Sequence, residues 1–347
     1  MSPDTASYTI FIPTYCRPYF IKRLLSYYQQ FNKPFHIVVA DSSPPDVQQA
    51  NQAIITAFPT LQVTHLTHYA TTLNPHHKFA DMVNHTNDPY CVFCADDDFV
   101  DPTGIETSIQ FLDRHPDFSC AHGNYITFRE RNGHFTWQPL YPYTSLTLDD
   151  PVQRFYTHLT SYWQVLYSVR RTPLVQQVYR ELISCHTDPM QFGELLPDML
   201  SLLYGKMQRL DVFYAARQFE SRVAYWPTLF EYMDKGVYEP AYIKFKACLT
   251  QHLTQMGKTT DQAQALIDEA MSRYLQSTKR TESLISLRSR LRKFHVPQNM
   301  LELVQNVYGK IANQSNYAIW TPQDPRQEDL EAFNRIKHIV LESTKNQ

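Results

Sequence analysis

The sequence predicts an α/β fold, a mostly parallel sheet flanked by helices and followed by a helical C-terminal extension. Between residues 9 and 115, short β-rich apolar runs alternate with longer segments whose apolar residues recur at helical spacing, the pattern of βαβ units. Three of those runs end on polar or acidic residues, where loops and helix N-termini gather in open α/β sheets. From about Tyr225 onward strand-like runs cease and helical periodicity takes over.

Taken in order, Thr9 to Pro13 reads as the first strand and Pro18 to about Phe31 as a helix, with Phe20, Leu24, Tyr27, Tyr28 and Phe31 at helical spacing. Phe35 to Ala40, apolar apart from His36, is the second strand and runs into Asp41; Asp46 to Phe58 is the next helix. Leu61 to Leu66 supplies a third strand, His76 to Thr86 a helix, and Tyr90 to Ala95 a fourth strand that runs into Asp96, Asp97 and Asp98. Asp101 and Pro102 have the residue types of an N-cap and a first helical position, opening a helix to about His115.

The pattern then changes. Asn132-Gly133 predicts a hairpin turn within Ile126 to Trp137, and an aromatic-rich stretch runs from Tyr141 to Tyr167. Gln164 to Val169 reads as a strand, Pro173 to Ser184 and Leu195 to Tyr204 as helices, and Lys206 to Ala216 as a returning strand. Thr259 to Phe294 and Gln298 to Ile311 read as helices, so the expected division is an α/β unit over 1–225 and a helical extension over 226–347.

With 347 residues, 43% of them apolar, the chain can fill a sizeable core. A formal charge of −2 gives a nucleic-acid partner no electrostatic support. The 8 glycines fit neither a P-loop nor a G-x-G-x-x-G pattern, so bound phosphates need another anchor. Six irregularly spaced cysteines read as reduced thiols, and with no signal-peptide pattern or membrane-length apolar run the expected address is cytoplasmic.

The chemistry gathers at three strand ends: Pro13-Thr14-Tyr15-Cys16-Arg17, Asp41-Ser42-Ser43 and Asp96-Asp97-Asp98. Three adjacent carboxylates repel one another unless solvent or a divalent cation intervenes, and one helix cap needs only one carboxylate, which Asp101 already supplies. The run therefore reads as a Mg2+ or Mn2+ anchor for a diphosphate. Asp41 has an equally plain reading as a cap for the helix that follows. Cys91 and Cys94 fall on opposite faces of a strand and cannot share a metal. His76 and His77 diverge on a helix, so at most one faces the cleft.

The run from Thr9 to Pro18, together with Val39-Ala40-Asp41-Ser42-Ser43 and Ala95-Asp96-Asp97-Asp98, resembles the N-terminal half of family 2 glycosyltransferases and their GT-A relatives, over roughly residues 8 to 220. The resemblance implies a GT-A domain that takes a nucleotide-diphosphate sugar and transfers the sugar to a saccharide or lipid-linked saccharide acceptor in glycan assembly. Carried over residue by residue, Pro13, Thr14 and Arg17 line the donor site, Asp41 meets the base, Asp96 and Asp97 face the donor, and Asp96 and Asp98 are the metal carboxylates. Aligned instead through Pro102, Ala95 falls on the first acid of the motif and the acids become Asp97 and Asp98. Asn74 and Lys78 fall where the family has an amide or basic residue; Lys78 either meets the donor or is an ordinary solvated lysine.

Counting back from Gly205 by the family spacing places the catalytic base of an inverting transfer at Glu194, standing at a helix mouth, with Asp198 one turn later as the alternative. Trp137, Tyr141, Tyr143, Tyr162 and Trp163 crowd the segment where an acceptor could stack, although packing alone accounts for most such clusters. Between Thr278 and Phe294 a leucine stripe flanked by cations can pack on the catalytic unit or rest peripherally on an anionic membrane. Two rivals use the same residues: a metal-dependent nucleotidyl or phosphoryl transferase, and a sugar-nucleotide-binding protein without catalysis.

Overall fold

The computed structural model describes residues 7–140, 144–186, 190–219, 229–293 and 327–345, without side chains at 139–140, 190–191, 280–293, 327–328 and 345. Its first half alternates strand and helix: β1 Tyr8–Thr14, α1 Pro18–Tyr28, β2 His36–Asp41, α2 Pro45–Thr56, β3 Gln62–Leu66, α3 Pro75–Met82 and β4 Tyr90–Phe93. Then come the short β5 Phe99–Val100, α4 Pro102–Arg114, and the hairpin of β6 Phe118–Arg131 with β7 His134–Leu140. The chain continues through α5 Pro151–Thr160, β8 Val169–Arg171, α6 Thr172–Ser184, α7 Met190–Tyr204 and β9 Lys206–Gln218. Four helices close the description: α8 Leu229–Asp234, α9 Tyr238–Gln255, α10 Thr260–Lys293 and α11 Gln327–Lys345.

One sheet of nine strands runs in the order β3-β2-β1-β4-β8-β6-β9-β5, with β7 paired on β6. The four strands of the first half are parallel, so β2, β1 and β4 deliver their carboxyl ends side by side. Their apolar runs explain the placement: Ile10 to Ile12, Ile37 to Ala40 and Val92 to Phe93 are almost wholly buried, as strands covered on both faces must be. Asp101 caps α4 as expected, accepting from the backbone N–H of Thr103 and Gly104. Asn132 and Gly133, with φ of 53° and 76°, make the tight hairpin turn that joins β6 to β7.

Several expectations need correction. The strand expected at Gln164 to Val169 begins only at Val169, because Tyr167 leaves the sheet direction to bond at the β4 end. Helix α5 was hidden in the aromatic stretch although Asp150-Pro151 repeats the cap signal of Asp101-Pro102, with Asp150 accepting from Val152 N–H. Helix α7 starts at Met190, not Leu195, so Glu194 stands inside the helix and not at its mouth. The six cysteines are not all free thiols: Cys185, just past α6, and Cys248 on α9 form a disulfide with Cα atoms 6.1 Å apart.

The C-terminal helices share the core of the α/β layer. Phe333 on α11 meets the rings of Phe135 and Trp137 edge-on, at 5.9 and 5.4 Å between centroids. Ile267, Ala270 and Met271 of α10 are buried with Leu249 and Leu253 of α9 in the same apolar cluster. Among the described residues no helix is long and apolar enough to cross a membrane. The side chains of the basic stretch 280–293 and the helix expected at Gln298 to Ile311 lie outside the described residues.

Candidate functional site

The loops after β1 and β2 are stitched together at the sheet's carboxyl edge. Cys16, with φ of 56°, turns the chain sharply from β1 into α1, and its N–H donates to Ser43 Oγ at 2.8 Å. Pro13 pairs with Ala40 at the end of β1, where a missing N–H does little harm. Thr14 then donates its hydroxyl to Asp96 Oδ2 at 2.6 Å, joining the β1 and β4 ends.

Lys78 is not a solvated helix lysine. Only 7% exposed, it reaches from α3 to donate to the Thr14 carbonyl at 3.1 Å and to Ser42 Oγ at 3.0 Å. Burial lowers its pKa to about 8, against the pull of Asp96 and Asp41. Asn74, at the start of the same helix, accepts from His76 N–H as its cap.

Asp41 lies where the resemblance puts it, at the end of β2. Its carboxylate is fully buried and accepts from Ser43 N–H at 2.9 Å, Asn51 Nδ2 at 2.8 Å and His65 Nε2 at 3.1 Å. Burial alone raises its pKa, but the donors from His65, Asn51 and Ser43 overcome this and hold it at about 2. In this arrangement Asp41 braces the β2–α2 turn.

The three aspartates face two ways. Arg17 donates through one nitrogen to Asp96 Oδ1 at 3.0 Å and to Asp97 Oδ2 at 2.6 Å. Asp98 turns to the opposite side, where its oxygens accept from Tyr167 OH at 2.7 Å, Gln218 N–H at 2.6 Å and Arg217 Nε at 3.3 Å. Of the expected metal carboxylates, Asp96 shares Arg17 with Asp97, while Asp98 is bonded at the β9 end. Asp97 keeps 16% of its side chain exposed, against 5% for Asp96 and 4% for Asp98. Burial, followed by the Asp97 charge, raises Asp96 to about 6; burial also raises Asp98 to about 6, with Arg217 opposing.

Helix α7 carries the two acids expected as base and alternative. A Cβ at Gly193 would run into the His76 ring, so the missing side chain lets α7 approach α3, and the next residue, Glu194, lies within charge range of Arg217 on β9. Glu194 reaches solvent, yet the surrounding protein displaces enough water to push its carboxyl up to about 7, aided by Asp198 and opposed by Arg217. Asp198, one turn on, is 1% exposed and accepts from Tyr162 OH and Val165 N–H, both at 3.0 Å. It anchors the chain between α5 and β8.

Sequence reasoning missed Tyr167, Arg217, Gln218 and Arg23, which complete the site. Arg23, 3% exposed, donates to the Asp97 carbonyl at 2.7 Å and to Gln218 Oε1 at 2.6 Å, tying the two sides together. A basic residue on the otherwise apolar face of α1 was the available signal for Arg23; the others carry none. The expected aromatic platform is dispersed, since Trp137 packs on α11, Tyr162 bonds Asp198, Trp163 meets His158, and Tyr141 and Tyr143 lie outside the described residues.

No protein-family model and no curated protein matches the chain. Among solved structures, S. aureus TarS 1-349 in complex with UDP-GlcNAc superposes with a TM-score of 0.51 at 14% identity, covering 78% of this chain and 71% of that one. The chain has a GT-A-like glycosyltransferase fold. The same TarS fragment with UDP gives a TM-score of 0.48 at 14% identity over 78% of this chain and 70% of that one. Mannosyltransferase PcManGT from Pyrobaculum calidifontis, in complex with GDP-Man and Mn2+, gives 0.46 at 11% identity over 98% and 86%. At 14% identity the first likeness speaks for the fold, and roles must be argued from this chain's own residues.

Proposed function

We propose that the chain transfers a glycosyl group from a nucleotide-diphosphate sugar to an acceptor hydroxyl, by single displacement with inversion. The observation that carries the reading is the gathering of Arg17 with the Asp96 and Asp97 acids at the sheet's carboxyl edge, with Arg217 joining the same acidic run at Asp98 and acting on the Glu194 carboxyl, whose pKa is near 7. The donor class is also supported by the fold shared with a TarS fragment that was crystallised with UDP-GlcNAc.

Arg17 and Lys78 offer positive charge to the diphosphate, and Thr14 orients Asp96 beneath it. Glu194, deprotonated, takes the acceptor hydroxyl's proton as that oxygen attacks the anomeric carbon and the nucleoside diphosphate leaves. Arg217, between Asp98 and Glu194 in charge, keeps part of the Glu194 population ionised near neutrality. Asp198 does not serve in this reading, because it is buried and its Oδ2 already accepts from Tyr162 and Val165.

The acids fit a divalent cation: Asp97 is the most accessible of the run and Asp96 stands beside it, a set of hard oxygen donors of the kind Mg2+ and Mn2+ accept. Asp97 and Asp96 would hold it, in place of the Asp96–Asp98 pair. When bound, such a cation supplies charge to the departing diphosphate. The acceptor belongs to the saccharides or lipid-linked saccharides of glycan assembly, residues 1–225 carry the chemistry, and 226–347 form the helical extension.

Incubating the full chain with a panel of nucleotide sugars and Mn2+ and assaying released nucleoside diphosphate tests the reading. Release from at least one sugar nucleotide is expected. Pyrophosphate release in its place assigns nucleotidyl transfer and sinks the proposal.

A further inference from the structure

Away from the cleft, three metal-ligating side chains converge that the proposed transfer does not use. His68 lies two residues beyond β3, Asp81 is on α3, and His85 follows one turn later. His68 Nε2 lies 2.9 Å and His85 Nε2 3.3 Å from the same carboxylate oxygen, Asp81 Oδ2. The three candidate ligand atoms all lie within 4.8 Å of one another, the one such group among the described residues. Bonds of about 2.0–2.1 Å at tetrahedral angles set zinc ligands roughly 3.4 Å apart, so the observed spacing needs adjustments of only tenths of an ångström for the carboxylate pairs. The site is also braced. Tyr69 OH donates to Asp81 Oδ2 at 2.8 Å, and the His68 ring packs on Tyr69 at 4.2 Å between centroids.

We propose that His68, Asp81 and His85 bind a borderline divalent metal of the zinc kind, at a site separate from the strand-end acids. Two imidazoles and one carboxylate favour zinc over the magnesium or manganese that an all-oxygen set accepts. Binding needs each imidazole in the tautomer that carries its proton on Nδ1, leaving the Nε2 lone pairs to the metal. All three side chains are more than a third exposed, so a metal enters without opening the fold.

The ligands bracket the connection 69–74 between β3 and α3, and α3 carries Lys78 and the His76 ring that seats on Gly193. Zinc therefore clamps the helix that forms one wall of the cleft, from its outer end. Coupling of this kind acts on loop order, not on the chemistry.

The test is isothermal titration of Zn2+ into tag-free full chain with Mg2+ in excess, alongside H68N, H85N and Asp97→Ala. One zinc per chain at micromolar affinity or tighter is expected, weakened at least about tenfold in H68N and in H85N and unchanged in Asp97→Ala. Both histidines are exposed, and circular dichroism verifies that the variants fold. Titrations that H68N and H85N leave unchanged, or wild-type binding no tighter than millimolar, overturn the site. Amide exchange across 67–74 should slow on zinc addition; unchanged exchange overturns the clamp.

Discussion

The two walls of the cleft are built on different principles. On the β1–β2 wall, Thr14, Arg17, Ser42 and Lys78 are tied together and to Asp96 and Asp97 through hydroxyls, a carbonyl and a shared guanidinium, with Arg17 and Asp97 left partly exposed. On the β9–α7 wall, Asp98 and Asp198 are consumed in holding backbone and tyrosines in place, and Glu194 alone remains open. The difference teaches that acidic residues in one site divide by what already bonds them. A carboxylate with three internal donors is a brace, and one with a solvent path is a reagent.

The strongest test of that division is Asp98→Ala. If Asp98 is a brace, its loss leaves Tyr167 OH, Gln218 N–H and Arg217 short of a buried acceptor and destabilises the fold by about 3–5 kcal/mol. Urea unfolding measures it. Asp97→Ala, at the accessible end of the run, should lose under about 1 kcal/mol yet weaken cation-dependent binding of a nucleoside diphosphate. Equal stability loss in the two variants would erase the distinction drawn here.

Next in size is Glu194→Gln. The amide keeps the shape and removes the base, so turnover should fall at least about a hundredfold with donor affinity nearly unchanged. Steady-state kinetics with separate donor titration decide it. Normal turnover in this variant removes Glu194 from the chemistry and puts single displacement itself in doubt.

How far the sequence showed these walls follows from how each is made. The first is made of strand ends, where an apolar run stops at a polar residue, so Thr14, Arg17, Asp41 and the aspartate run were visible as local patterns. The second depends on contacts across 69 to 120 residues, such as Tyr167 and Gln218 on Asp98, and no local pattern encodes them. The same reason explains the disulfide between Cys185 and Cys248, 63 residues apart. The burial of Asp41 beside His65 and of Lys78 against the Thr14 carbonyl was not visible, because sequence spacing does not report burial. The division of labour among Asp96, Asp97 and Asp98 was likewise invisible, since neighbouring residues at a strand end can turn either way.

A smaller effect separates the two acids of α7. Asp198→Ala strips the partner from Tyr162 OH and Val165 N–H and should cost about 1–3 kcal/mol of stability, read by thermal or urea unfolding. Turnover of the folded fraction should stay within a few-fold of wild type. A loss on the scale of Glu194→Gln without any loss of stability would reverse the assignment of base and brace.

The finest prediction concerns pH and uses one wall residue to tune another. Glu194 is held at about 7 first by burial and then by the Asp198 charge, with Arg217 pulling the other way. A base works only when deprotonated, so turnover should rise with pH and reach half its plateau near 7. Asp198 itself sits at about 6 and is mostly ionised in that range, so its repulsion is present where Glu194 titrates. Asp198→Asn removes the repulsion and should move the midpoint to lower pH, by less than about one unit for a single partly screened charge. The stability consequence has the opposite sense. A carboxyl whose pKa is raised on folding stabilises the fold in full below its unfolded value of about 4.3, and that contribution is lost as pH rises to about 7. Turnover should thus rise over the same interval in which this group's contribution to stability disappears, and Glu194→Gln should flatten both trends. A kcat profile whose midpoint does not move in Asp198→Asn would show that the two carboxyls do not sense each other, and that burial alone sets Glu194.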